Sequence, residues 1–302
     1  MTNLNGVFPV VPTPFDDSGA VDLAAFRRLI GFALAAGVDG LVFPGMASEV
    51  ETLSPSERAT LVAELGRVVA GRVPLIVGAS DADPVRAAAR AQEGKAAGAV
   101  SAMVMAPNGL GQDIDAQIAF YHAVAADAGL PIMLQNAPAP NGAGLSPEAV
   151  ATIAKAVPGV RFLKEETLPC GQHITRIRAA AGNALDGIYG GAGARYLIDE
   201  LRRGASGTMP ALELADMHVA LWRAWAGGDQ PAARRLYQAA LPLLTAQAVF
   251  RVRLTKEVLK HRGVLTLTHA RAKGPVPDGD DLTDIAVMLG DLGQTVPLMP
   301  AP

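Results

Sequence analysis

Val160-Arg161-Phe162-Leu163-Lys164-Glu165-Glu166 is the stretch from which this chain is read. Apolar residues lead into a lysine, and acids and a turn, Thr167-Leu168-Pro169, follow it. A short, nearly continuous apolar run bounded by turn residues fits a strand buried on both faces. An ammonium at the end of such a strand is partly desolvated, which favours the neutral amine. A neutral amine can attack a carbonyl and form a Schiff base. Taken alone, the plainer reading is a lysine snorkelling from a strand end, so the surrounding pattern has to decide.

In both directions the same unit recurs. Upstream, apolar runs at Gly6–Phe15, Asp39–Gly45, Pro74–Ala79, Val100–Pro107 and Pro131–Asn136 read as strands one to five. Helical patterns follow each, at Leu23–Ala36, from Ser54 to about Ala70, and at Asp83–Ala97, Asp113–Ala126 and Ser146–Ala156. Ser54-Pro55-Ser56-Glu57 and Ser146-Pro147-Glu148 carry helix-start chemistry: a hydroxyl cap, proline at the first position and an acid in the first turn. Downstream, Val160–Lys164, Asn183–Tyr189 and Gly204–Met209 are strands six to eight, with helices at Gln172–Ala181, Ala194–Arg202 and Ala211–Ala226. Eight apolar strands alternating with amphipathic helices predict an α/β fold, a (β/α)₈ TIM barrel. We therefore expect residues 1–226 to form the barrel and residues 227–302 a helical extension packed on it, with helices at Pro231–Leu244, Ala246–Arg262 and Leu282–Leu292 and a loop at Thr268–Asp280.

Composition narrows the functional classes. The chain has 302 residues, half of them hydrophobic and 18% charged, with a net charge of −3. No basic run is present, so neither nucleic acid nor a membrane surface is an expected partner. The N-terminal stretch Met1–Gly6 lacks the basic and apolar regions of a signal peptide, no apolar run is long enough to cross a bilayer, and the expected location is cytoplasmic. A single cysteine, Cys170, excludes an internal disulfide and a cysteine-based zinc site. His122, His173, His218 and His261 fall on helices and His269 in the tail loop, so no metal site is expected.

Barrel enzymes build their sites from the C-terminal ends of the strands. In this chain those ends carry Thr13, Gly45-Met46-Ala47-Ser48-Glu49, Ser80-Asp81, Asn108, Gln135-Asn136, Lys164-Glu165-Glu166, Tyr189-Gly190-Gly191 and Met209-Pro210. Lys164 is the only lysine among them. The Gly45–Ser48 turn offers backbone N–H groups and a hydroxyl to a carboxylate. Gly190 and Gly191 allow close approach of a ligand to the backbone.

The order of motifs is specific: Gly6-Val7-Phe8-Pro9…Thr13-Pro14-Phe15, Gly45-x-x-x-Glu49-x-x-Thr52-Leu53-Ser54-x-x-Glu57, Leu163-Lys164-Glu165 and Gly204-Ala205-Ser206-Gly207. With it the chain resembles the dihydrodipicolinate synthase/N-acetylneuraminate lyase superfamily over essentially its whole length. The resemblance implies a barrel with a C-terminal helical extension, usually a homotetramer, needing no cofactor and acting on a small 2-keto acid. It also implies that Lys164 is the Schiff-base lysine.

Departures sharpen the match. Ala47 stands where the family has a relay threonine, Gln135 where it has a shuttle tyrosine, and Asn108-Gly109 where it has an aromatic pair. The arginine expected after strand five is missing from Ala139-Pro140-Asn141-Gly142. A glutamine cannot shuttle protons as a phenol does, which argues against lysine synthesis. Ser48-Glu49, Gln135 before Ala137-Pro138, and Lys164-x-Glu166-Thr167 look instead like the 2-keto-3-deoxy-L-arabonate dehydratases, although the strand-four loop does not match. That branch implies loss of water from a 2-keto-3-deoxy sugar acid to give 2-oxoglutarate semialdehyde. Glu166, or Glu49 as second choice, is the expected acid/base, and Gln135 a further catalytic candidate. Met46, Ala47, Ser48, Asn136, Gly190 and Gly191 are the expected substrate contacts. A class I pyruvate aldolase or a synthase-like lyase with the same lysine stays open, as does a barrel that only binds a keto acid.

Overall fold

Helix caps fix where each unit begins. A computed structural model describes residues 4–299, so residues 1–3 of the N-terminal stretch and the last three residues of the expected extension lie outside the described part. Asp22 caps α1 (Leu23–Ala35), and Ser54 with Glu57 forms a capping box at α2 (Pro55–Val69). Asp83, Asp113 and Ser146 each accept a backbone N–H at the starts of α3 (Pro84–Ala96), α4 (Ile114–Ala128) and α5 (Pro147–Ala156). Each cap satisfies a donor that has no partner within the helix, which makes these starts sharp.

The strands are β1 (Gly6–Val7), β2 (Leu41–Phe43), β3 (Leu75–Gly78), β4 (Ala99–Met105), β5 (Ile132–Asn136), β6 (Val160–Glu165), β7 (Gly187–Gly190) and β8 (Gly207–Thr208). All pairings are parallel, in the order β1-β8-β7-β6-β5-β4-β3-β2. The remaining seam is closed just past β1, where Val10 bridges both Val42 and Ala211. Backbone bonds from Val42 N–H to Pro9 and from Val11 N–H to Val42 complete it. The expected eight-stranded barrel is therefore the observed fold.

Two cores result. Inside the cylinder, Phe8, Val10, Val42, Ile76, Met103, Met133, Phe162, Tyr189 and Met209 pack into a plug, with Phe8 and Tyr189 edge to face at 5.8 Å. Outside it, the opposite faces of the strands pack against the helices. The Tyr189 hydroxyl points down the barrel and donates to the Leu4 carbonyl, so the floor of the site is sealed.

Toward the C-terminus the boundaries depart from the periodicity. Residues 182–184 form a 3₁₀ turn rather than the start of β7, and β8 is only two residues long. After α6 (Cys170–Ala181), α7 (Leu197–Arg202) and α8 (Ala215–Ala226), the chain runs into α9 (Gln230–Phe250) without a break at Thr245. The Thr245 hydroxyl bonds back to the Leu241 carbonyl and helix continues through it. The break falls at Arg251, where φ is 52°, before α10 (Val252–His261) and, beyond the loop, α11 (Gly279–Thr295).

Candidate active site

Strand alternation decides which side chains reach the barrel mouth. Gln135 on β5 and Lys164 on β6 are register partners, and Lys164 is in turn opposite Tyr189 on β7. Met133 and Phe162, two residues earlier, fill the barrel plug. Gln135, Lys164 and Glu166 accordingly share one layer above it. The Lys164 Nζ lies 2.8 Å from Glu166 Oε1, and Gln135 Nε2 donates to Glu166 Oε2 at 3.1 Å. Lys164 is 5% exposed and Gln135 2%, so all three polar groups meet in a nearly dry setting.

Burial by itself raises the proton affinity of the Glu166 carboxyl. The Lys164 ammonium, the Gln135 amide and the Ala192 N–H outweigh it and hold the group below the usual carboxylate range. Glu166 is therefore ionised at rest, as a base must be. Space for it comes from Gly191, where a Cβ would sit 2.4 Å from Glu166 Cγ. This glycine makes room for the carboxylate.

Other expected site residues are placed differently. Asn136 follows Gln135 and so faces the helices. Its amide donates to Glu165 at 2.9 Å and to the Leu145 carbonyl at 3.0 Å, and its oxygen accepts the Leu145 N–H, which pins the loop after β5. Gly190 also faces outward, since a Cβ there would lie 1.8 Å from Glu200 Oε2. Neither residue reaches the Lys164 layer, because each sits one position out of phase with it.

Glu49, the second choice for the acid/base, is fully buried away from Lys164. Its carboxylate meets Lys256 Nζ of α10 at 2.5 Å and accepts the Ala272 N–H at 2.6 Å. The Ser48 hydroxyl donates to the Val11 carbonyl at 2.6 Å and accepts the Gly45 N–H at 2.9 Å, which makes it a latch of the turn. Thr13 donates to the Ser48 carbonyl from the other side at 2.7 Å. Within that turn Ala47 packs against the barrel plug, while Met46 is 37% exposed at the rim.

Three participants were not singled out from the sequence. Lys256 sits in an amphipathic helix and looks like an ordinary surface lysine. Ala192 and Ala272 contribute only backbone N–H groups, which no residue type signals. Positive φ at Ala192 (49°), Gly193 (65°) and Ala194 (62°) marks the loop after β7 as strained where it meets Glu166.

A lysine and an ionised carboxylate held together at the mouth of a (β/α)₈ barrel define a class of lysine-centred barrel proteins. The chain belongs to the dihydrodipicolinate synthetase family, whose model matches residues 3–278, and is a lyase of that family. It is 34% identical over 276 residues to an L-2-keto-3-deoxyarabonate dehydratase from Azospirillum brasilense, covering 90% of this chain and 89% of the relative. It is 31% identical over 239 residues to a 4-hydroxy-tetrahydrodipicolinate synthase from Stenotrophomonas maltophilia, covering 76% and 80%. Among solved structures, a dihydrodipicolinate synthase from Rhodopseudomonas palustris superposes with a TM-score of 0.87 at 25% identity, over 95% of this chain and 97% of that one.

Proposed function

We propose that this protein is a Schiff-base dehydratase of a 2-keto-3-deoxy sugar acid, with 2-keto-3-deoxy-L-arabonate as substrate and 2-oxoglutarate semialdehyde as product. The observation that carries the reading is the Lys164–Glu166 contact at 2.8 Å with Gln135 bonded to the second carboxylate oxygen. An amine and a carboxylate in contact can pass one proton between them. Glu166 takes the ammonium proton, the free amine of Lys164 adds to the keto carbon, and Glu166 returns the proton as water leaves the carbinolamine. The iminium acidifies carbon 3. Glu166 removes a proton there, the enamine expels the carbon-4 hydroxyl as water, and the proton on Glu166 accompanies it. Tautomerisation and hydrolysis of the imine then release the semialdehyde and free Lys164.

Dehydration is favoured over the synthase reaction by Gln135, which stands where a phenol would be needed and is engaged with Glu166. The similarity to the Azospirillum dehydratase, spanning nine-tenths of both chains, supports the same substrate class. Carbon 3–carbon 4 cleavage would use the same lysine and release pyruvate. Incubation with 2-keto-3-deoxy-L-arabonate separates the two: a coupled aldehyde dehydrogenase reports the semialdehyde, and lactate dehydrogenase reports pyruvate. Pyruvate as the major product would replace dehydration by aldol cleavage. Glu166→Gln should lower kcat by about 10²- to 10⁴-fold and slow, without abolishing, the trapping of a pyruvyl adduct by borohydride.

A further inference from the structure

We propose that the segment from α10 to Ala272 is a positioning element of the site, which sets the Gly45–Ser48 turn at the C-terminal end of β2, on the barrel mouth, through a buried clamp on Glu49. The proposal rests on the reading of Lys164 as the group that receives a keto acid. The contacts are sequence-distant and sealed: the Lys256 and Glu49 side chains are both 0% exposed and meet at 2.5 Å. Lys256 also donates to the His269 carbonyl at 2.7 Å and lies 4.5 Å over the Phe15 ring. The other Glu49 oxygen takes the Ala272 N–H. Each polar atom of the pair thus has a partner contributed by the tail.

What this clamp holds is a turn in an unfavourable conformation. Glu49 has φ 56° and ψ 39°, the left-handed region that a residue bearing a Cβ avoids. Thr52 returns its N–H and its hydroxyl to the Glu49 carbonyl, and Glu49 N–H bonds the Met46 carbonyl. Freed from Lys256 and Ala272, Glu49 would leave the dry interior and relax its backbone, and the Met46–Ser48 turn would shift with it. A second anchor lies next to the first. Arg271 pairs with Glu57 at 2.6 Å, donates to the Thr52 and Gly19 carbonyls, and also lies over the Phe15 ring at 4.2 Å. The tail therefore grips the segment between β2 and α2 at its middle, Glu49, and at its α2 end, Thr52 and Glu57.

The chemistry of the pair fits positioning rather than proton transfer. Burial pushes the Lys256 ammonium down and Glu49 opposes this, but neither group has a path to the Lys164 layer among the contacts described. A residue that acts by placing a binding turn should alter KM more than kcat.

Glu49→Gln keeps the shape and removes the charge. The double variant Glu49→Gln/Lys256→Met removes both charges and avoids stranding one in the interior. Both variants and the native protein would be assayed for turnover, for the pyruvate concentration that half-saturates borohydride trapping on Lys164, and for hydrogen exchange at residues 45–52. We expect KM and the half-trapping concentration to rise by about tenfold or more, kcat to change by less than about threefold, and exchange at 45–52 to quicken. Unchanged KM and exchange would reduce the pair to a stabilising contact and overturn the proposal. A fall in kcat at constant KM would overturn it in the other direction, by making Glu49 part of the chemistry. If the native protein traps no pyruvate, the Schiff-base reading falls. The clamp is then decided by exchange alone: faster exchange in Glu49→Gln supports it and unchanged exchange refutes it.

Discussion

Lys164 and Glu166 meet at 2.8 Å with 7% and 13% of their side chains exposed, whereas Lys256 and Glu49 meet at 2.5 Å with none. The residue types are identical. What differs is the surroundings. At the barrel mouth the carboxylate has an amide and a strained backbone N–H as its further partners, and the amine ends at the site layer. Beneath the tail, the ammonium is bonded to a second acceptor and covered by an aromatic ring. An ion pair with an open side can exchange its proton with an incoming carbonyl compound; one closed on every side can only hold its two chain segments together.

Breaking the open pair should give the largest effect. Lys164→Ala is expected to lower turnover by about 10⁴-fold or more and to abolish borohydride trapping, with the fold retained because Glu166 can take up a proton once its cation is gone. Residual trapping at another lysine would end the assignment. Breaking the closed pair should act on stability. Lys256→Met leaves the Glu49 charge buried alone and should cost about 3–5 kcal/mol in denaturant unfolding, with much of the loss recovered in the double variant. Equal losses in the single and double variants would show that the pair is not coupled.

A smaller effect tests how the open pair is tuned. Gln135→Leu removes a donor that stabilises the ionised Glu166. The carboxyl then binds its proton more readily, so the acid limb of the kcat/KM profile should move to higher pH, with about a three- to tenfold loss on that side. A limb that stays in place would separate Gln135 from the base.

The smallest effect concerns a third buried acid, which pairs with no cation among the described residues. Glu200, beneath Gly190, makes no hydrogen bond through either carboxylate oxygen, and burial raises its carboxyl to about 8. An unfolded glutamate releases its proton near 4.5, so the folded chain carries an extra proton between those values, and stability falls as pH rises from about 4.5 to 8. Glu200→Gln should therefore raise Tm by about 2 °C at pH 9 and leave it nearly unchanged at pH 5. An equal gain at both pH values would point to packing instead of charge.

Much of this architecture is legible before any coordinates. Apolar runs separated by Ser-Pro and Asp-Pro helix starts give the alternation, and the caps fall at Ser54, Asp83 and Ser146 as their residue types require. Lys164 and Glu166 are equally legible, being two apart at the end of one strand, Glu166 one residue beyond it, and so on one face. The same rule, applied strictly, places Asn136 and Gly190 on the other face, where Asn136 bonds Glu165 and Leu145 and Gly190 packs on Glu200. Length of the last strands was less legible, because Gly182 and Gly204 take positive φ just after helices and the mixed residues that follow, such as Asn183, Asp186 and Ser206, do not mark where a strand begins. The Glu49 clamp was not legible at all. Its partners are 207 and 223 residues away, and one of them is a backbone N–H.

That last separation has a consequence for biosynthesis. All eight strands, Lys164 and Glu166 have been translated by Thr208, yet the turn after β2 still lacks both partners of Glu49. Lys256 must emerge first and then Ala272 before the segment after β2 can take its final course. A nascent chain arrested between these points would display a closed barrel with a loose rim, so the order of translation itself delays completion of this turn until Ala272 has been added.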